Sequence, residues 1–141
     1  MTRPLAVVAV GGNALIRDPQ HMSLADQYDA VCETATHVAA MVASGWNVVL
    51  THGNGPQVGF ILRRSEIADG QVPTVPVQYA VGDTQGAIGF MFQNALGNAL
   101  LRRGLRTPVV TLVTQTLVDR TDAAFGKPDK PISSFPTEDV A

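Results

Sequence analysis

The chain has 141 residues, of which 45% are hydrophobic and 16% are charged, a composition that suits one globular α/β domain and excludes a disordered chain. The net charge of −2 gives no electrostatic reason to expect nucleic acid or an anionic membrane as a partner. Cys32 is the only cysteine and no apolar run reaches the ~18 residues of a membrane span, so we expect no disulfide, no cysteine zinc site and a cytoplasmic protein.

The first predicted elements are a strand and a helix. Leu5–Val10 is a continuous apolar run, which is typical of a strand buried in a parallel sheet. Ser23 is a favourable N-cap, and apolar residues recur at helical spacing over 24–42. Gly45 tolerates the left-handed conformation that ends many helices, so the pattern predicts a helix from Ser23 to this glycine.

The rest of the chain repeats this alternation of strand and helix. The apolar run 48–50 predicts a second strand, and Pro56 is suited to the first turn of a helix that continues to residue 68. A long helical pattern follows over 79–103, and 109–113 predicts a third strand. Strands that alternate with helices predict a mostly parallel sheet with helices on both faces. Residues 119–141 are polar and rich in proline, which indicates the start of a projecting subdomain beside a lobe over 1–118.

Glycines interrupt the long helical pattern on one face. Gly82, Gly86 and Gly89 share this face, although each glycine in a helix costs about 1 kcal/mol relative to alanine. Close packing of a neighbouring element is the favoured explanation. The alternative is that the face lets a substrate or a second subunit approach.

Two glycine loops follow the first two predicted strands. The loop at 11–14 follows the first strand, and the loop at 52–57 follows the second. Because parallel strands end at the same edge of a sheet, we expect the two loops to meet there. Glycine exposes backbone N–H groups, and the helix that begins after the second loop adds a partial positive charge. The sequence therefore predicts a site for a phosphate or a small carboxylate.

Side chains near the loops offer further donors. Asn13 and Asn54 can add amide N–H groups, and Lys127 and Lys130 are the only lysines. The spacing alone favours both lysines as solvated surface residues, with a phosphate clamp as the alternative. His52 has the chemistry of a general acid or base, but its position favours a structural role in orienting the loop.

Motifs of other enzyme classes are missing. The sequence has no Walker phosphate loop, no dinucleotide-binding glycine pattern after the first strand and no serine-hydrolase elbow. His21 and His37 have no accompanying carboxylate motif, so we expect no metal site in the chain itself.

Five segments together resemble carbamate kinase, a member of the amino acid kinase family. They are Val8–Ala14, Thr51–Gly59, Gln85–Gly89, Val113–Asp119 and Lys127–Ile132. The resemblance covers essentially the whole chain. It implies the N-terminal half of the αβα sandwich of that family.

The resemblance implies an ATP-dependent, reversible phosphorylation of carbamate with Mg²⁺. The usual direction makes ATP from carbamoyl phosphate and ADP, as in arginine breakdown, and the usual assembly is a homodimer. The implied catalytic residues, on the phosphoryl side, are Gly11, Gly12, Asn13 and Lys130. The implied substrate-binding residues, at the carbamate end, are His52, Gly53, Asn54 and Gly55.

The sequence departs from the family in length and at two motifs. Family members are considerably longer, so we expect the nucleotide-binding half to be absent from this chain and the chain alone to be inactive. Asp83-Thr84 and Ser133-Ser134 replace residues that the family prefers. The alternative to a kinase is a non-catalytic half that acts as an anion-binding or dimerisation module.

Overall fold

The computed structural model describes residues 2–128, apart from the side chain of Asn13. Its two strands are β1 (Leu5–Val10) and β2 (Asn47–His52), which pair in parallel along their full length. Its long helices are α1 (Leu24–Ala43), α2 (Gly55–Ile67) and α3 (Val77–Arg102). Short 3-10 turns occupy Gly12–Ala14 and Ala123–Phe125. The predictions of these strands and long helices are confirmed to within a few residues.

The ends of α1 follow from two local interactions. The Ser23 hydroxyl accepts a hydrogen bond from the backbone N–H of Asp26 at 3.2 Å, and the Asp26 carboxylate accepts one from the Ser23 N–H at 3.0 Å. This capping box satisfies two donors that an α-helix leaves without partners. Gly45 lies just beyond the helix at φ +94°, a conformation that other residues rarely adopt.

The sheet buries one face and exposes the other. Val48 and Leu50 pack against the core that α1 and α3 build with Val10. On the opposite face, Leu5 and Val7 of β1 are 64% and 67% exposed, and Val49 of β2 is 47% exposed. The α/β class with a parallel sheet is therefore confirmed, and α1 and α3 lie together on its buried face. The core residues that these helices contribute include Val31, Ala35, Val38, Ile88, Phe92, Leu96 and Leu100.

The predicted third strand at 109–113 is wrong, because the chain forms no strand ladder there. Residues 105–119 instead run without a turn or a bend beside α3. The side chain of Gln93 donates to the Val109 carbonyl at 3.0 Å, and Gln85 accepts from the Thr114 N–H at 2.7 Å. Side chains of α3 thus form hydrogen bonds with backbone groups that a neighbouring strand would otherwise bind.

Gly89 confirms close packing on the glycine face of α3. A methyl group at this position would overlap the side chain of Thr111. At Gly82 and Gly86, by contrast, an added Cβ would meet nothing within 4 Å. The absence of a side chain at Gly89 lets the segment around Thr111 lie against the helix.

The division into a lobe over 1–118 and a subdomain over 119–141 stays a prediction. The 3-10 turn Ala123–Phe125 lies within the second of these ranges, and residues 129–141 lie outside the described part. Among residues 2–128, no helix is long and apolar enough to cross a membrane.

A titrating pair lies in the loop before α1, where Asp18 Oδ2 is 2.8 Å from His21 Nδ1. This hydrogen bond raises the pKa of His21 and lowers the pKa of Asp18. The pair therefore stabilises the fold only while His21 is protonated and Asp18 is ionised. The stabilisation is lost as pH rises through the raised pKa of His21, and again as pH falls through the lowered pKa of Asp18.

We expect Asp18→Asn to lower the pKa of His21, because it removes the carboxylate that favours the imidazolium. An NMR titration of the His21 ring protons measures this change. Asp29→Asn is the matched control, since Asp29 is an exposed residue of α1 that makes no hydrogen bond or ion pair with His21. Equal effects of the two variants would contradict the pairing.

Candidate active site

The two glycine loops touch through their backbones. The Gly53 N–H donates to the Val10 carbonyl at 2.8 Å, which extends the pairing of the strands into the second loop. A Cβ added at Gly53 would lie 2.6 Å from the Gly12 nitrogen, and one added at Gly12 would lie 3.3 Å from the Asn54 nitrogen. Only residues without a side chain allow this approach at Gly53. The prediction that the loops meet at the carboxyl ends of the strands is confirmed.

The first loop is a single 3-10 turn anchored in the core. The Ala14 N–H donates to the Gly11 carbonyl at 2.9 Å, and the Leu15 N–H donates to the Gly12 carbonyl at 3.2 Å. Leu15 is only 1% exposed, so burial of its side chain holds the turn in place. Asn13 lies in this turn by its backbone, and its side chain lies outside the described part.

The second loop leads directly into α2. Asn54 is the N-cap residue, but its side chain makes no capping hydrogen bond. The Asn54 amide instead donates to the Thr84 hydroxyl of α3 at 2.9 Å. The first-turn N–H groups of α2 therefore have no side-chain cap from Asn54. They carry the partial positive charge of the helix N-terminus and are suited to bind an anion.

Thr84 fixes the orientation of Asn54. Its hydroxyl donates to the Val81 carbonyl at 2.8 Å while it accepts from the Asn54 amide, and Thr84 is only 2% exposed. At the neighbouring position, Asp83 is exposed. At this departure from the family pattern, the buried threonine contacts the loop while the adjacent aspartate faces solvent.

A buried pair of glutamine side chains connects the second loop to the start of α1. Gln57 Nε2 donates to Gln27 Oε1 at 3.0 Å, and Gln27 Nε2 donates to the Met22 carbonyl at 3.0 Å. These bonds tie the first turn of α2 to the start of α1. Gln57 Oε1 is buried and has no hydrogen-bond donor among the described residues. Sequence reasoning missed this pair because the two glutamines are 30 positions apart.

His52 contacts its own loop and a core ring. Its Nδ1 lies 3.2 Å from the Gly53 carbonyl oxygen, and its ring stacks on Phe92 with centroids 6.4 Å apart. These contacts agree with the structural role that its position favoured. Lys127 is exposed, and Lys130 lies outside the described residues.

Residues 2–128 hold no group of three or more histidine, cysteine, aspartate or glutamate side chains that could bind a metal ion. The glycine loops offer backbone N–H donors for an anion. The arrangement can bind phosphoryl or carboxylate oxygens through backbone N–H groups.

Comparisons with known proteins agree on one family, although no family model matches the chain. The carbamate kinase-like protein YahI of Escherichia coli K12 is 48% identical over 135 residues, which cover 94% of this chain and 42% of that protein. The carbamate kinase of Pyrococcus furiosus is 44% identical over 137 residues, which cover 96% of this chain and 44% of the relative. This chain is homologous to the carbamate kinases.

Solved carbamate kinases share the fold as well as the sequence. The carbamate kinase from Giardia lamblia bound to AMP-PNP matches with a TM-score of 0.89 at 37% identity, over 97% of this chain and 43% of that one. The match covers the N-terminal half of the carbamate kinases. This chain spans 42–44% of the length of these relatives. The resemblance noted in the sequence is confirmed over the matched part.

We expect Gly53→Ala to destabilise the chain by about 1–3 kcal/mol, because the new methyl group would press on the backbone of Gly12. Urea unfolding followed by circular dichroism measures the change. Gly11→Ala is the control, since a Cβ there meets nothing within 4 Å and its φ of −65° suits alanine. The contact between the loops would be contradicted if both variants lost the same stability.

We expect Thr84→Val to leave the Asn54 amide without its acceptor and to cost about 1–3 kcal/mol. The NMR signals of the Asn54 side-chain NH₂ group should shift, and their exchange with water should accelerate. Thr84→Ser keeps the hydroxyl and should restore both signals. If serine and valine perturbed the Asn54 signals equally, the hydroxyl would not orient this amide.

Proposed function

We propose that this chain forms the carbamate and phosphoryl side of a carbamate kinase, an ATP-dependent phosphotransferase. The observation that carries the proposal is the backbone contact between the Gly12 and Gly53 loops, at the carboxyl ends of β1 and β2. Homology to carbamate kinases over 94–96% of the chain supports the choice of substrate.

The proposed reaction moves one phosphoryl group. In the direction of ATP synthesis, the terminal phosphate oxygen of ADP bonds to the phosphorus of carbamoyl phosphate. The bond from phosphorus to the carbamate oxygen breaks, and carbamate leaves with the electron pair. Charge in such a transition state spreads over the oxygens of the transferred group, so a protein accelerates the step mainly through fixed donors and positioning.

The first loop is proposed to bind the transferred group. Gly11, Gly12 and Asn13 lie in or beside a turn that Leu15 anchors in the core. A turn anchored in this way keeps its backbone N–H groups in place while charge develops, and this preorganisation avoids the cost of reorienting donors during the reaction. Lys130 is proposed to add positive charge from the projecting subdomain.

The second loop is proposed to bind the carbamate end. Asn54 and Gly55 lie at the N-terminus of α2, whose partial positive charge favours an anion. Thr84 holds the Asn54 amide in one orientation. Gly53 keeps the two loops in contact, and the bond of His52 to the loop carbonyl supports their geometry.

ATP or ADP with Mg²⁺ is the proposed cofactor. The described residues form no metal site of their own. From the resemblance to carbamate kinases, we propose that magnesium and most of the nucleotide bind in the half of the relatives that this chain does not match. A homodimer is the proposed assembly.

Two assays test the proposal. The chain alone should form no ATP from carbamoyl phosphate and ADP. The whole 141-residue chain joined to the part of the Pyrococcus furiosus carbamate kinase that follows the matched region should form ATP. If that chimera folds cooperatively by calorimetry and yet forms no ATP, this chain does not supply the carbamate side.

A matched pair of variants locates the activity within the chimera. Asn54→Asp places a carboxylate beside the anion and should lower kcat/KM by about 10²–10³-fold, as loss of one preorganised donor does. Asn98→Asp makes the same change at an exposed position of α3 and should leave activity unchanged. Equal activities of the two variants would exclude Asn54 from the site.

A further inference from the structure

Two neighbouring residues of α3 each bind a different part of the chain. The Thr84 hydroxyl accepts from the Asn54 amide of the second glycine loop at 2.9 Å. The next residue, Gln85, binds Thr114 of the segment that follows α3. Because both contacts start from one turn of one helix, α3 sets the position of the Asn54 loop and the position of Thr114 together.

The amide of Gln85 binds the backbone of Thr114 as a neighbouring strand would. Gln85 Oε1 accepts from the Thr114 N–H at 2.7 Å, and Gln85 Nε2 donates to the Thr114 carbonyl at 3.4 Å. The Thr114 hydroxyl is a further donor to Oε1 at 3.4 Å. The bond to the N–H is the strongest of the three, because hydrogen bonds weaken towards 3.5 Å. One side chain therefore satisfies both backbone groups of a residue that pairs with no strand among residues 2–128.

Two further contacts hold the same segment along α3. One helical turn beyond Gln85, the missing side chain of Gly89 leaves space for Thr111. One turn further on, the Gln93 amide donates to the Val109 carbonyl at 3.0 Å. The contacts advance along the helix as they go back along the segment, so the two run in opposite directions. The contact of Gln85 is therefore the last of the three along the chain.

Thr114 is also the last anchor before a part of the chain that binds only itself. In the described range, the hydrogen bonds of residues 115–128 all join residues within that stretch. Asp119, for example, accepts from both the N–H and the hydroxyl of Thr121. Residues 115–128 are also exposed throughout. The place of this stretch relative to the sheet and helices therefore depends on how Thr114 is held.

The position of Thr114 bears on the proposed reaction through the residues that follow it. Lys130, which is proposed to add positive charge, lies further along the same stretch of sequence. A charge accelerates phosphoryl transfer only where charge develops in the transition state, and a misplacement of about 1 Å can cost about 10²-fold in rate. The chain that leaves Thr114 must therefore keep a fixed relation to the loop of Asn54.

We propose that Gln85 is a positioning residue of this site. Together with Thr84, it fixes the point from which residues 115–128 extend, relative to the loop proposed to bind carbamate. This inference rests on the proposed function and adds to it a residue that acts through Thr114 rather than on the substrate. Gln93 binds the same segment but lies two helical turns further from Thr84, so it supports the segment without setting this relation.

The test compares Gln85→Met with Gln93→Met in the chimera described above. Methionine has a similar length but lacks the amide, so each variant removes the hydrogen bonds of one glutamine. We expect Gln85→Met to lower kcat by about 10- to 100-fold, because Thr114 is no longer fixed. The KM for carbamoyl phosphate should change by less than about threefold, because Thr84 still holds Asn54. Gln93→Met should leave both constants unchanged.

Gln85→Glu provides the conservative variant. Its carboxylate still accepts from the Thr114 N–H, the strongest of the three bonds, so most of kcat should return. A glutamate variant no faster than the methionine variant would overturn the role of this bond. Equal losses of kcat in Gln85→Met and Gln93→Met would also overturn it, since a general loss of stability would then explain both.

An NMR measurement on the 141-residue chain tests the contact without catalysis. Gln85→Met should accelerate the amide exchange of Thr114 and leave the side-chain NH₂ signals of Asn54 in place. Unchanged exchange at Thr114 would overturn the contact itself. An active chimera whose kcat Gln85→Met does not alter would overturn the positioning role alone. A wild-type chimera without activity would instead refute the proposed function, and the positioning role would fall with it.

Discussion

The backbone contact between the two glycine loops is the constraint on which the site depends. The bond from the Gly53 N–H to the Val10 carbonyl joins the ends of both strands, and the hypothetical Cβ at Gly53 shows how little space remains beside Gly12. Because the loops are fixed on each other, the turn after β1 and the first turn of α2 form one surface. Donors on that surface are held by the sheet and the core rather than by the ligand.

Much of the fold was predictable because its signals are local. The capping box at Ser23 and the glycine at Gly45 mark the two ends of α1, and the apolar run Leu5–Val10 predicts β1. The segment 109–113 has the same β-branched composition as a strand, but within residues 2–128 it pairs with no strand. Composition reports a tendency to pair, whereas a ladder requires a partner at the right distance.

The site was predictable in part for the same reason. Glycines after buried strands indicate close loops, and the parallel order of the strands brings the loops together. The bond from Asn54 to Thr84 and the amide pair of Gln27 and Gln57 each join residues 30 positions apart, so no local pattern reports them. These contacts come from how α2 sits against its neighbours. They decide where an amide points, which the sequence motif alone leaves open.

The two glutamines of α3 that bind the following segment give this helix a second structural role. Ile88 and Phe92 of α3 lie in the core, whereas Gln85 and Gln93 of the same helix bind backbone groups of residues 109–114. The place of that segment therefore depends on polar side chains of α3 rather than on a strand ladder. One helix thus constrains the chain twice, through apolar contacts on its inner side and through amide hydrogen bonds beside them.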